Sequence, residues 1–334
     1  MKENALRFRE DGTFKIVQFT DIHWKDGSER DLKSKALMDS VLAAELPDFV
    51  MFTGDVIYTG EDADGPSVCV DPLVAFREAV SVVEQRGIPW GVVFGNHDTE
   101  FGITREELMD EVLKRPFGYT ERGPKDIQGV GNYVLPVWGR TNDKVAALLY
   151  ALDSGDYSRN ARVPGYGWIG HDQVQWYLRQ SQQWNSGSEG DDLPALAFFH
   201  IPLPEYQTVW DQEICYGSKN ENVCSARTQA GFFSAMLEQG DVMATFCGHD
   251  HVNDYWGELY GIRLYYGRAT GYNTYGKEGF NRGARVIRLT EGERKLESWL
   301  RLDDGSVVGQ QPEHLPGNPL FARRFAETKR MLLK

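Results

Sequence analysis

Six short apolar runs along the chain each end in a cluster of Asp, Asn, His or Gly. They are "FKIVQFTDIH" (14–23), "DFVMFTGDVI" (48–57), "WGVVFGNHD" (90–98), "AALLYALDSGD" (146–156), "ALAFFHIPL" (195–203) and "VMATFCGHDHV" (242–252). The apolar part of each is nearly continuous and rich in β-branched or aromatic residues. That is how a strand buried on both faces reads, and such strands need cover on either side of their sheet. Helical stretches lie between them. Residues 30–46 place Leu37, Val41 and Leu42 on one face, and residues 71–87 place Leu73, Phe76, Val80 and Val83 likewise. Residues 171–184 and 227–239 read the same way. The alternation predicts an α/β fold. Three later runs, "IRLYYG", "ARVIRL" and "KLESWLRL", follow in quick succession and predict an antiparallel or mixed portion. "RRFAETKRMLLK" at the end reads as a terminal helix. No internal repeat is present. "NSGSEGDD" (185–192) is a loop, not a linker, because the motifs on its two sides belong together. The expected layout is one domain over 8–304 and a tail over 305–334.

Composition narrows the function. The 334 residues are 41% hydrophobic, ordinary for a globular chain, and carry a formal net charge of −13. That charge argues against wrapping nucleic acid or lying on an anionic membrane. A small anionic substrate stays open, because a bound metal reverses the local field. No apolar run reaches the 18 residues of a membrane span. The N-terminus has charges where a signal peptide needs its apolar segment. A cytoplasmic location is the expectation, or an extracytoplasmic one if a leader has been removed. The cysteines are Cys69, Cys215, Cys224 and Cys247, with no CxxC pair, so a structural zinc site is not expected. Cys215 and Cys224 share a loop, but free thiols are the expectation in a chain this poor in Cys.

In open α/β sheets, functional groups collect just past the carboxyl ends of strands. Here those positions hold Asp21 and His23; Asp55; Asn96, His97 and Asp98; His200; and His249, Asp250 and His251. Five of the seven histidines fall in this set. A satisfied core histidine explains any one of them, but poorly explains five at strand ends. Imidazole nitrogens with carboxylate and amide oxygens suit a first-row metal such as Mn, Fe, Co, Ni or Zn. Asp, His, Asp, Asn, His, His and His are too many donors for one ion and fit a pair bridged by a carboxylate. In an extended segment, residues i and i+2 point the same way, so His249 and His251 are expected to face one cluster and Asp250 away from it. Gly54, Gly95 and Gly248 are expected to let the backbone turn there.

In order, "DIH", "GD", "GNHD", the lone His after an apolar run and "GHDH" are the motifs of the calcineurin-like metallophosphoesterases, which the chain resembles over 21–251. "LDSGDYS", "YGWI", "FFHIPLPEY" and "GHDHVNDY" are similar to the purple-acid-phosphatase-like or Dcr2-like branch. The resemblance implies a four-layer α/β/β/α sandwich with two mixed sheets. It implies two divalent or trivalent metal ions, Mn, Fe or Zn. Asp21, His23 and His251 would hold the first; Asn96, His200 and His249 the second; Asp55 would bridge them. His97 would contact the substrate phosphate and protonate the leaving group, with Asp98 orienting it. Asn96 would also face the substrate. The implied activity is hydrolysis of a small phosphorylated substrate, a monoester first, by a hydroxide formed from a bridging water. The competing readings are a phosphodiesterase on cyclic nucleotides or phospholipid head groups, and a metal-poor, non-catalytic scaffold. True purple acid phosphatases carry a metal-binding tyrosine three residues after the bridging aspartate, where Tyr58 stands, but lack the histidine of "DIH". His23 is therefore expected to be the ligand and Tyr58 to pack beside it.

Weaker signals resolve toward structure. "GYGWIG" (165–170) matches GxGxxG but follows no strand, so a turn into the 171–184 helix is expected. Ser154 has no nucleophile elbow around it. His171 and His314 read as surface residues. Arg268 is a candidate for bidentate phosphate binding.

Overall fold

The computed structural model describes residues 5–61, 69–141, 144–186 and 192–317. Its elements in chain order are β1 (Thr13–Phe19), α1 (Glu29–Glu45), β2 (Phe49–Thr53), α2 (Pro72–Gln85), β3 (Trp90–Val93), α3 (Arg105–Val112), β4 (Tyr133–Trp138), β5 (Val145–Ala151), α4 (His171–Asn185), β6 (Ala195–Phe198), α5 (Glu205–Gln212), β7 (Cys215–Tyr216), α6 (Phe232–Gln239), β8 (Val242–Cys247), β9 (Trp256–Leu259), β10 (Ile262–Tyr266), β11 (Gly283–Thr290), β12 (Leu296–Leu302), β13 (Val307–Val308) and β14 (Glu313–His314). A one-turn 3-10 helix, His97–Thr99, follows β3.

Two mixed sheets form. One runs β13-β12-β11-β1-β2-β3 and the other β14-β7-β9-β10-β8-β6-β5-β4. Parallel pairing joins β1, β2 and β3 in the first, and β5, β6, β8 and β10 in the second. The continuous apolar runs now have their cause. In β2, Phe49 and Met51 enter the layer between the sheets, while Val50 and Phe52 pack toward the outer helices. In β5, Leu149 and Ala151 face inward, while Leu148 and Tyr150 meet the helices of the second sheet. Residues from α1, α2 and α3 cover the first sheet, and residues from α4, α5 and α6 cover the second. The result is the expected α/β/β/α sandwich.

Local chemistry sets the helix ends. Asp71 caps α2 by accepting from the Val74 N–H, with Pro72 at the first turn. Thr104 and Glu107 make a reciprocal capping box on α3. The "GYGWIG" stretch ends in the N-terminus of α4, where the Gln173 side chain accepts from the Gly170 N–H at 2.6 Å. α6 is shorter than its sequence pattern, beginning at Phe232, not near 227.

The tail expected from 305 is part of the fold as far as 317, since β13 and β14 each extend a sheet. His314, expected on the surface, stacks on Trp210 with ring centroids 3.6 Å apart. The expected terminal helix lies outside the described residues. No helix among the described residues is long and apolar enough to cross a membrane. No disulfide joins any of the four cysteines.

Candidate metal centre

The carboxyl ends of five parallel strands from the two sheets meet at one place. β1 delivers Asp21 and His23, β2 Asp55, β3 Asn96 and His97, β6 His200, and β8 His249 and His251. The sheets are joined there by side chains and backbone. Buried Gln18 donates to Thr53 Oγ1 at 2.8 Å and to the Cys247 carbonyl at 3.0 Å. The His249 N–H reaches both carboxylate oxygens of Asp21 at 3.1 Å.

The backbone is bent to aim these groups. Asp21, His23, Asp55 and His249 have φ of 53°, 53°, 50° and 78°. Non-glycine residues rarely occupy this left-handed region, and where they do the surroundings must enforce it. His249 thus leaves the extended path that the i, i+2 argument assumed. The outcome is nevertheless the expected one: His249 and His251 both face the cluster, and Asp250 turns away to accept from the Tyr266 hydroxyl at 2.6 Å. Two glycines serve differently from expectation. A Cβ on Gly95 would collide with the Asp55 carboxylate, and one on Gly248 with Thr20 Oγ1 and Asp21 Oδ2. They are needed for close approach; of the three, Gly54 alone has a positive φ, 89°.

Two overlapping donor sets result. Asp21, His23, Asp55 and His251 form one; Asp55, His200 and His249 form the other; within each set the ligand atoms lie within 4.8 Å of one another. Asp55 belongs to both. Its Oδ2 is 3.1 Å from His200 Nε2 and 3.4 Å from His23 Nε2, and His251 Nε2 is 3.4 Å from Asp21 Oδ1. His200 Nδ1 lies 2.7 Å from the Thr53 carbonyl, which fixes its N–H there and turns Nε2 inward. That Nε2 faces His249 Nδ1 at 3.3 Å. Buried polar atoms almost always have partners. Here Asp55 Oδ2, His23 Nε2, Asn96 Oδ1, His249 Nε2 and His251 Nδ1 are buried without a hydrogen bond. Such a concentration of unmatched acceptors fits a pair of cations.

Electrostatics points the same way. Burial drives His23 down to about 4 and, with the charge of His200, His249 down to about 3, so both rest neutral as ligands must; at His200 the Asp55 carboxylate outweighs burial and raises it to about 9, so a cation there would have to displace the Nε2 proton. Burial works against charge on the carboxylates, but the imidazoles overcome it. The bond from His251 holds Asp21 at about 2, and His200 with His97 hold Asp55 well below the usual range.

His97 stands beside the two sets. Its backbone N–H donates to Asp55 Oδ1 at 2.8 Å, and its ring lies 5.0 Å from that of His23. The expectation for Asp98 is corrected. Its carboxylate accepts from the N–H groups of Asp55, Gly95 and Ile57 at 2.9, 2.7 and 2.9 Å, fixing the backbone under the cluster. Glu100 orients His97 instead, with Oε2 2.7 Å from Nδ1. In a helical turn, neighbours in sequence diverge while residues three apart share a face. The spacing His97 to Glu100 was the signal for this pair.

Arg268 is also corrected. It is buried, pairs with Asp254, donates to the Asn281 carbonyl at 2.6 Å and lies over the Phe280 ring. Its Nε and Nη1 donors are committed to the protein. Tyr58 stacks on His23 at 5.1 Å and donates its hydroxyl to the Glu61 carbonyl at 2.8 Å. Three tyrosines without a strand-end signal complete the rim. Tyr157 donates to Glu100 Oε1 at 2.5 Å, Tyr166 sets its ring 4.4 Å from that of His249, and Tyr275 sets its ring 4.3 Å from that of His251.

The chain matches the family model described as calcineurin-like phosphoesterase over residues 14–253. It is 36% identical, over 93% of its length and 88% of the relative's, to a protein of Arabidopsis thaliana named probable inactive purple acid phosphatase 29. It is 31% identical, over 89% of its length and 55% of the relative's, to phosphatase DCR2 of Saccharomyces cerevisiae. A dimetal phosphatase from Danio rerio shares the fold, with a TM-score of 0.55 and 13% identity over 85% of this chain and 98% of that one.

Proposed function

The chain belongs to the calcineurin-like phosphoesterases, and from that membership we propose that it is a phosphomonoesterase working with two metal ions. The observation that carries the reading is the shared Asp55 between two buried donor sets, with His97 alongside. Asp21, His23 and His251 would hold one cation with Asp55; Asn96, His200 and His249 would hold the other with Asp55. Imidazole-rich donors with carboxylate and amide oxygen favour Mn, Fe or Zn. When bound, the metal pair supplies Lewis acidity toward the phosphate and a lowered pKa for an attacking water. The protein supplies the rest. With Nδ1 tied to Glu100, His97 offers Nε2 to the departing oxygen and gives it a proton. Burial of the donors keeps the charge-stabilising groups in a low-dielectric setting, where they act most strongly on developing charge. A net charge of −13 favours a small phosphorylated substrate over nucleic acid.

The test is hydrolysis of p-nitrophenyl phosphate against bis(p-nitrophenyl) phosphate with Mn, Fe and Zn in turn. Faster turnover of the monoester supports the reading; faster turnover of the diester makes the protein a phosphodiesterase. The word "inactive" in the Arabidopsis relative's name raises a second reading, a metal-poor scaffold. Every donor position of this chain is filled, which speaks for the enzyme. Elemental analysis after mild purification decides: well under one metal per chain, with no activity on reloading, would favour the scaffold.

A further inference from the structure

A groove of about 1320 Å³ lies beside Tyr157, whose hydroxyl reaches Asn96 Nδ2 at 3.4 Å at the edge of the metal centre. It is larger than the ~300–1,000 Å³ typical of small-ligand pockets. Thr99, from the turn that carries His97, lines it, as do Tyr157 and Trp168. Ile103, Ile127 and Val130 add apolar wall. Neither His97 nor a metal donor lines the groove; Tyr157, bonded to Glu100 and Asn96, connects it to the proton-donor side of the site. In the in-line reaction of the proposed phosphomonoesterase, on which this inference rests, the departing oxygen lies beside His97. A group attached to that oxygen that runs past Tyr157 would enter this space.

Charge does not select the occupant. Arg105 is paired with Asp153 and Arg122 with Asp110, and Lys125 and Arg159 share the lining with Glu106 and Asp156, so the lining carries no net formal charge. The ring faces are more informative. Tyr157 is 46% exposed, yet it is firmly fixed. Its hydroxyl is held by Glu100 Oε1 at 2.5 Å and by Asn96 Nδ2 at 3.4 Å, and one face stacks on Tyr166 with centroids 5.8 Å apart and planes 23° apart. Backbone bonds from Ser158 N to Gly165 O and from Gly167 N to Asp156 O, both 2.8 Å, brace the loop that carries the two tyrosines. The exposed area of Tyr157 is thus a rigid flat face that loses little entropy on binding.

We infer that this groove receives the leaving group of the ester, and that Tyr157 with Trp168 selects leaving groups carrying a flat aromatic ring. Tyr157 then has two duties. Its hydroxyl positions Glu100, and its open face binds the ring.

The test uses two esters of similar leaving-group basicity, 2-phenylethyl phosphate and 2-cyclohexylethyl phosphate, on the metal-loaded protein. Their unreactive counterparts, 3-phenylpropylphosphonate and 3-cyclohexylpropylphosphonate, are compared by calorimetry. The flat ring is expected to be preferred about three- to tenfold in both kcat/KM and affinity, the size of an aromatic pair beyond its area. Tyr157→Phe keeps the preference while lowering kcat. Tyr157→Leu and Trp168→Leu each bring the ratio toward one. Equal binding of the two phosphonates to the wild type, or a preference untouched in both Leu variants, overturns the inference. A ring preference in phosphonate binding without turnover of either monoester supports the groove and sinks the phosphomonoesterase reading instead.

Discussion

Glu100 Oε2 lies 2.7 Å from Nδ1 of His97, and the two residues are three apart on a single helical turn. Thr59 Oγ1 accepts from the Glu100 N–H at 2.8 Å and donates to the His97 carbonyl at 2.8 Å, so the turn itself is pinned. The carboxylate fixes which ring nitrogen carries the proton toward substrate. Glu100→Gln is expected to lower kcat on an alkyl phosphate about 10- to 100-fold, part of the ~10²–10⁴ that positioned proton transfer contributes. The loss should be much smaller on p-nitrophenyl phosphate, whose leaving group departs without a proton. Metal content should not change. An equal loss on both esters would remove Glu100 from this role.

Asp98 separates from Glu100 by the kind of damage it does. Three buried N–H groups end on its carboxylate. Asp98→Ala leaves them without an acceptor, at about 1–3 kcal/mol for each group left unsatisfied. Urea unfolding of the metal-free protein should show a lowered midpoint for Asp98→Ala and none for Glu100→Gln.

The positions of the ligands were legible because the fold writes them plainly. Strands buried on both faces must be apolar throughout, so the first polar residues after Phe19, Thr53, Val93, Phe198 and Cys247 stand out. Elements without that contrast were not legible. β4 contains Pro136 in mid-run, and proline argues against a strand unless it lies at an edge, which is where β4 is. α3 and α5 have eight residues each, too few for a periodic pattern, although the capping box at Thr104 was readable. Tyr157 and Tyr166 lie in "LDSGDYS" and "YGWI", stretches that pointed to the branch but not to a role for either ring; their approach to the imidazoles depends on how the second sheet packs on the first. Arg268 was misjudged because a buried arginine and a phosphate-binding one look alike in sequence, and the pairing with Asp254 is a tertiary fact.

Metal binding should stabilise the fold measurably. Asp55, His23 and His249 are buried, and each leaves a polar atom without a hydrogen bond, an arrangement that a cation relieves. A ligand at a hundredfold excess over its Kd adds about 2.7 kcal/mol. Chelation of the wild type is expected to lower Tm by several degrees and reloading to restore it. In Asp55→Asn both sets lose their shared carboxylate, so the metal-induced rise in Tm should largely disappear, along with activity. A full rise in Asp55→Asn would show that the cations bind elsewhere.

Arg268→Met tests the corrected assignment. Removing one partner of a buried ion pair costs about 3–5 kcal/mol, because Asp254 is left charged and unpaired. Stability should fall by that order in denaturant titration, with KM for a phosphate monoester unchanged. A raised KM in a variant that remains folded would return Arg268 to the substrate site.

Gly95 and Gly309 give a controlled pair. A Cβ on Gly95 would press on Asp55 Oδ1, Cγ and N together, whereas one on Gly309 meets nothing within 4 Å. Neither residue has a positive φ, so backbone preference is not the difference between them. Asp55 cannot retreat, since its backbone N–H is bound by Asp98 and its Oδ1 accepts from His97. Gly95→Ala must therefore displace the carboxylate that both donor sets share. It is expected to lose more than half of the bound metal by elemental analysis and nearly all activity, with a stability cost in the ~1–3 kcal/mol range of overpacked sites. Gly309→Ala should match the wild type in all three. Wild-type metal content in Gly95→Ala would mean that Asp55 has freedom to move, and its place as the shared ligand would have to be given up.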